Sequence, residues 1–480
     1  MSAKAVVEAR LPAAVARMRR AFDGQRRAYD EERFPAASVR EARLAALERM
    51  LRENAPAFAA SIREDFGNRS AHETQLLEIF PALEQIRYVR RHLRAWMREE
   101  PRAVSRWFLP ARASVLYQPL GVAGIIVPWN YPVYLAAGPL AAALAAGNRA
   151  MLKLSELTPR TCALFAAATA KVFPPEEVAV IEGDAAMGEA FARLPFDHLL
   201  FTGSTRVGHA VMHAAADNLT PVTLELGGKS PAILGEGFPL ARAASRIVLG
   251  KCLNAGQTCI APDYVLLPAG SEAGFVREAR AAVARMYPRL ADTPDYTSIV
   301  SRGHFERLAG YLEEARSRGA EVVSLSDSLR APDPASRRIP PCAVLGAPAD
   351  CALMREEIFG PILPLVPCAS LDEAIRRVNA GPRPLALYLF ENDAGRIDRV
   401  LRQTVAGGVT VNDTILHIAQ DDLPFGGVGA SGMGAYHGRE GFETFSRKKA
   451  VFRQARFNGA GLLCPPYGRR FEWLLRLLLR

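Results

Sequence analysis

Between Ser114 and Thr202 short aliphatic runs alternate with helix-patterned segments, and this alternation limits the fold more than any other feature of the chain. ASVLYQPLG and VAGIIVPW read as strands, followed by a small-residue helix over 134–146 and a strand over 150–154. A helix over 160–172, a strand over 178–181, a helix over 186–193 and an apolar run over 198–202 continue the series. Such β-α-β order with short connections demands a largely parallel sheet covered on both faces. A second set from Val222 to Phe425 predicts another α/β domain, with helices over 240–254, 271–287 and 371–380 and the strand YVLLP. The first hundred residues read as helices broken at Pro35, Pro56 and Gly67. Near the end, 446–457 is polar on alternate residues and predicts a strand that pairs near 114–118.

With 480 residues and about 150 residues per domain, two or three domains and a deep cleft are expected. A composition of 49% hydrophobic and 23% charged residues is that of an ordinary globular protein and excludes disorder, collagen and long coiled coils. The nearly charge-free stretch 120–148 contains Pro128, Pro132, Pro139 and Gly138, with Asn130 in its middle, so it reads as core and loop, and no transmembrane segment is expected. The N-terminus has no uninterrupted apolar run of secretory length. Seven cysteines without a C-x-x-C pair indicate neither a disulfide framework nor a zinc site. A cytoplasmic location and no metal are therefore expected.

The net charge of +10 rests on 60 basic residues, only seven of them Lys. Arg87, Arg91, Arg94 and Arg98 form a stripe opposite Leu83, Ile86, Leu93 and Trp96. No nucleic-acid motif accompanies it, so the stripe reads as a solvated helix face, and no nucleic-acid partner is expected. The closing FEWLLRLLLR is far too short to span a bilayer. It is expected to dock on the body or on a partner subunit, with interfacial membrane contact as the alternative.

Several segments carry residues suited to chemistry. Gly203-Ser204-Thr205-Arg206-Val207-Gly208 follows HLLFT and opens a helix, where backbone amides and the helix dipole face a phosphate. It lacks the middle glycine of G-x-G-x-x-G, so an ordinary strand–helix turn accounts for it equally. Glu225, 22 residues beyond Gly203 in VTLELGGKSP, stands where a ribose-binding acid is expected. It also suits a general base raised by an apolar pocket, or a salt-bridged strand-end acid. Cys259 in NAGQTCIAPDY sits in a tight polar loop whose amides suit a thiolate and an oxyanion. Asn130 in PWNYP is held between two prolines and offers an amide donor, or simply forms a turn.

PWNYP, FTGSTRVG, LELGGKSP and GQTCIAPDY, followed by EEIFGP and LPFGGVGASGMG, stand in the order seen in the aldehyde dehydrogenase superfamily. From about Ala36 to Lys449 the chain resembles that superfamily. Its APDY ending, PPYG and leucine-rich tail look most like the class 3 branch, and within it the bacterial enzymes that act on coniferaldehyde. The resemblance implies a Rossmann-type cofactor domain (1–104 and 121–226), a second α/β catalytic domain (227–425), a bridging hairpin segment (105–120 and 440–460) and a tail (461–480).

By the same resemblance Cys259 is the nucleophile, Glu225 the general base rather than a ribose ligand, and Asn130 the oxyanion donor. Lys153, Glu156, Gly203, Ser204, Gly208, Leu226, Glu357 and Phe359 match cofactor-binding positions, with NAD expected and NADP possible because Arg160 lies near Glu156. Trp129, Tyr131 and Tyr134, with His417, suit an aromatic substrate funnel or core packing. The implied reaction takes an aldehyde through a hemithioacetal and a thioester to the acid, and the implied assembly is a homodimer. Fast attack at neutral pH requires a Cys259 pKa below the ordinary thiol value, with loop amides or a cationic cofactor ring as the candidates. The competing substrate is a medium- or long-chain aliphatic aldehyde, and the competing class is a non-catalytic binding protein on this fold.

Overall fold

The computed structural model describes residues 3–479. Its central element is a six-stranded sheet in the spatial order Gly432–Met433, Val222–Glu225, His198–Thr202, Val122–Ile126, Arg149–Lys153, Val178–Ile181. Every pairing is parallel except that of Gly432–Met433. Val122–Ile126 lies beside His198–Thr202 although two strands separate them in sequence, so the strand order reverses there. In a doubly wound sheet that reversal opens a crevice at the carboxyl ends of the strands. The loops leaving these two strands carry Asn130 and Gly203.

Alternation along the strands dictates the layers. Val122, Leu199, Phe201 and Leu224 face a core built with Met18, Phe22, Phe191 and Phe196. Ala123, Ile125, Leu152 and Leu200 face the helix Tyr134–Ala146 and the main core. All residues of that helix are buried, which suits its run of Ala, Leu and Gly. Small residues permit close approach: a Cβ at Gly138 would meet Gln85 Oε1 at 2.7 Å.

A seven-stranded sheet follows, ordered Glu321–Ser324, Cys342–Leu345, Ile362–Cys368, Tyr264–Pro268, Pro231–Leu234, Ala386–Phe390, Gly408–Val411. It is parallel apart from its first pairing. A third, antiparallel sheet joins Glu100–Arg102, Arg112–Pro119 and Ser446–Arg453, with Arg447 opposite Gln118 and Val451 opposite Ser114. The α/β class and the layered architecture expected above are what the structure has.

Three local expectations change. The helix expected to reach Asn254 ends at Cys252 and continues as a tighter turn, Leu253–Gly256. No residue of the closing helix Arg469–Leu478 is buried against the body, the first of the two dockings expected for it beside a partner subunit. The arginine stripe is engaged in part: Arg87 pairs with Glu48 at 2.9 Å and Arg94 with Glu41 at 2.7 Å.

Candidate active site

The loop bearing Cys259 begins in strained backbone. Asn254, Ala255 and Gly256 are consecutive left-handed residues, with φ of 51°, 49° and 72°. Glycine is required at the third, because a Cβ there would collide with the Gly360 carbonyl. The first two persist only where surroundings over-determine them. The Asn254 N–H donates to Glu73 Oε1 at 2.8 Å, and its Nδ2 donates to the carbonyls of Asn130 at 3.0 Å and Gln257 at 3.1 Å. Gln257 Nε2 donates to Asn254 O at 2.9 Å and Ser298 O at 3.2 Å, while its Oε1 accepts from Val300 N–H at 2.9 Å. From this clamp the Thr258–Ala261 turn, closed at 3.0 Å, presents a half-buried Cys259.

Asn130 faces the same loop. Its Nδ2 donates one N–H to Gln257 O at 3.2 Å, which leaves the second N–H of the amide for another acceptor. Glu225 ends its strand, buried, with neither carboxyl oxygen bonded. Its backbone carbonyl accepts from Gly203 N–H at 3.0 Å, tying the phosphate-type turn to the candidate base. Asn130, Cys259 and Glu225 line one cavity of about 690 Å³, together with Trp129, Thr202, Gly203, Ser204, Leu226, Glu357 and Phe359. A cavity of about 790 Å³ elsewhere, between the N-terminal helix and Pro159–Val172, contains none of the residues singled out in the sequence.

Burial dominates the electrostatics. It holds the Glu225 carboxyl well above the usual range, and raises Glu357 to about 8 against the opposing Gly228 N–H, Lys229 and Arg307. Burial, then the charges of Glu357 and Glu225, push the Cys259 thiol up to about 12; the N–H groups of Cys259 and Ile260 pull the other way without prevailing. Of the two candidates for lowering the thiol, the loop amides therefore do not bring it below its ordinary value.

The candidate cofactor residues divide. Ser204 Oγ accepts from Val207 N–H at 3.4 Å and caps the helix Thr205–Ala216, whose amino end opens on the cavity. Gly208 lies under Leu226, where a Cβ would meet Cδ2 at 2.8 Å, so its part is close helix–strand packing. Glu357 overhangs Gly227, which has no room for a Cβ. Phe359 adopts a φ of 51° and sets its ring edge-on to Trp129 at 5.4 Å. Lys153 is buried at the end of a neighbouring strand, donating to Leu154 O at 2.6 Å and lying 3.6 Å from Glu156. Neither Lys153 nor Glu156 belongs to the cavity wall, and the nearby Arg160 is taken by Glu64.

Of the expected aromatic funnel, only Trp129 lines this cavity. Tyr131 is buried behind it, sharing a hydrogen bond with Thr258 Oγ1 at 2.7 Å. Tyr134 faces His437, 3.4 Å from OH to Nε2, and His417 stacks on Phe425. These side chains back the site rather than wall this cavity.

Sequence reasoning missed Arg69, Glu73 and Glu78, a buried cluster that joins the two loops. Arg69 is fully buried; its Nη1 donates to Glu78 Oε1 at 2.8 Å and to Asn130 O at 3.1 Å. Glu78 Oε2 accepts from the N–H groups of Val133 at 2.8 Å and Tyr134 at 3.3 Å. Arg69 and Glu73 stand four residues apart, a spacing that by itself marks no site.

A doubly wound sheet with a thiol, a carboxyl and a carboxamide around the crevice at its reversal point has the form of an oxidoreductase. Residues 3–451 match the Aldehyde dehydrogenase family. The chain is 52% identical to a probable coniferyl aldehyde dehydrogenase of Pseudomonas aeruginosa, over 95% of this chain and 94% of that one. Among solved structures it is similar to the substrate-bound state of Staphylococcus aureus AldH, with a TM-score of 0.91 and 35% identity over 96% of this chain and 99% of that one. It is also similar to S. aureus betaine aldehyde dehydrogenase in complex with NAD+, with a TM-score of 0.79 and 25% identity over 92% and 88% of the two chains. The chain belongs to the aldehyde dehydrogenase family. It is an oxidoreductase acting on the aldehyde group.

Proposed function

We propose that this enzyme oxidises coniferaldehyde or a similar aromatic aldehyde to the carboxylic acid, with Cys259 as nucleophile, Glu225 as general base and Asn130 as oxyanion donor. The observation that carries the assignment of roles is the convergence of these three groups on one cavity, with both Glu225 oxygens unpartnered. The aromatic substrate rests on the name of the P. aeruginosa relative.

An oxidised nicotinamide dinucleotide, when bound, supplies the hydride acceptor. The residues present fit it: Thr202 Oγ1 is buried and unpartnered in the cavity wall, the amino end of Thr205–Ala216 opens there, and Lys229, Arg206 and Arg307 offset a pyrophosphate. NAD is favoured over NADP, because Glu156 opposes a 2′-phosphate and Arg160 is committed to Glu64.

The chain's own groups then act in order. The Cys259 sulfur attacks the aldehyde carbon, and the developing oxyanion is received by the free Asn130 N–H and the Cys259 backbone N–H. Loss of hydride leaves a thioester on Cys259. Glu225, once ionised, takes a proton from the water that cleaves it. Burial raises both the Cys259 thiol and the Glu225 carboxyl, and a positive charge placed beside the sulfur would lower the thiol by direct attraction.

A homodimer is the assembly we favour, supported by the outer edge of Ser446–Arg453, which pairs with no strand among the described residues. A cytoplasmic location is supported by seven free cysteines. Among the described residues no helix is long and apolar enough to cross a membrane.

The test is absorbance of reduced nicotinamide with coniferaldehyde or hexanal, NAD or NADP, and wild type beside Cys259→Ala. Reduction with coniferaldehyde and NAD that vanishes in Cys259→Ala is expected. Faster turnover of hexanal would replace the aromatic substrate by an aliphatic one, and turnover retained in Cys259→Ala would remove Cys259 from its role.

A further inference from the structure

The charge of this chain gathers at one end. Residues 446–480 hold nine Lys and Arg and one acid, Glu472, a balance of +8 out of the total of +10. Among the described residues only Lys448 and Arg453 of this segment are in ion pairs, with Glu443 and Glu99.

The helix Arg469–Leu478 joins this charge to apolar surface. None of its residues is buried. Trp473 is 67% exposed and Leu477 42%, one turn apart on the same side. Arg469, Arg470 and Arg476 stand four before, three before and three after Trp473, so they ring the Trp473–Leu477 pair. Phe471, Leu474 and Leu478 are half-buried on the other side.

Tryptophan and leucine encircled by arginine suit a headgroup layer, where the rings enter the boundary and the guanidinium groups meet phosphates. The unpaired arginines of the closing helix fit an anionic surface and oppose a second copy of that same helix, whereas the edge of Ser446–Arg453 lies outside it. We propose that the C-terminal segment docks on an anionic phospholipid surface through Trp473, Leu477 and their ring of arginines. Apolar insertion and basic attraction supply the two signals that peripheral binding needs, while the catalytic body stays in water.

The full-length protein, sedimented with phosphatidylcholine vesicles and with vesicles containing phosphatidylglycerol, tests this at low and high salt. Two variants accompany it, Trp473→Glu/Leu477→Glu and Arg469→Gln/Arg470→Gln/Arg476→Gln. At least about tenfold more wild type is expected on the anionic vesicles at low salt, lost at high salt and in both variants. Turnover of a water-soluble aldehyde is expected to be unchanged in both. Equal binding to both lipids, no binding, or binding of the glutamate variant like wild type would overturn the proposal. So would a change of mass in light scattering on Trp473→Glu/Leu477→Glu without vesicle binding by wild type, which assigns the face to a second copy. None of these readouts needs a correct substrate.

Discussion

The buried guanidinium of Arg69 donates to the backbone carbonyl of Asn130 at 3.1 Å, and that carbonyl also accepts from Asn254 Nδ2 at 3.0 Å. One cation thereby ties the loop carrying the candidate oxyanion donor to the strained turn before Cys259. Removing it in Arg69→Met strands Glu73 and Glu78 and is expected to destabilise the protein by about 3–5 kcal/mol, read by denaturant unfolding. Arg69→Lys keeps the charge but loses the planar fork. In that folded variant kcat is expected to fall about 10–100-fold with little change in the KM for NAD. An unchanged kcat would cut the link between Arg69 and the oxyanion donor.

Glu225→Gln separates chemistry from stability. As the base for thioester hydrolysis, its loss should leave a first-turnover burst of reduced cofactor but slow the steady state about 10²–10⁴-fold. Stability should move the other way. The folded pKa of Glu225 lies above its unfolded value, so the native state holds the extra proton and the residue weakens folding as pH rises past the ordinary carboxyl range. The variant should therefore melt higher than wild type, by a margin that grows from mildly acidic to alkaline pH. A margin independent of pH would contradict this.

Thiol alkylation reads the Cys259 environment. With its pKa pushed up to about 12, Cys259 should react with iodoacetamide at neutral pH far more slowly than a free thiol, and faster as pH rises. Saturating NAD should accelerate alkylation near neutral pH if a cation in the cavity lowers the thiol. Peptide mass analysis resolves Cys259 from the six other cysteines. Protection by NAD at every pH would show that the cofactor shields the sulfur instead.

Glu156 is the element expected to oppose a 2′-phosphate. Glu156→Gln should shift the ratio of kcat/KM for NADP over NAD upward by about tenfold, chiefly through the KM for NADP. A ratio that stays put would place the discrimination elsewhere.

Much of this protein was legible from the chain alone, because the signals are local. Strand and helix periodicities between Ser114 and Thr202 dictated the parallel sheet, and the resemblance carried by PWNYP, LELGGKSP and GQTCIAPDY named the residues that line one cavity. What the tertiary structure decided is long-range or set by burial. Arg69 reaches Asn130 across 61 positions and Glu73 reaches Asn254 across 181, contacts that no spacing rule encodes. Tyr131 and Tyr134 stand behind the cavity that Trp129 lines, with their hydroxyls facing Thr258 and His437, a placement set by tertiary packing. The thiol rose rather than fell because its surroundings, burial first and then the carboxyls of Glu357 and Glu225, exist only once distant strands converge.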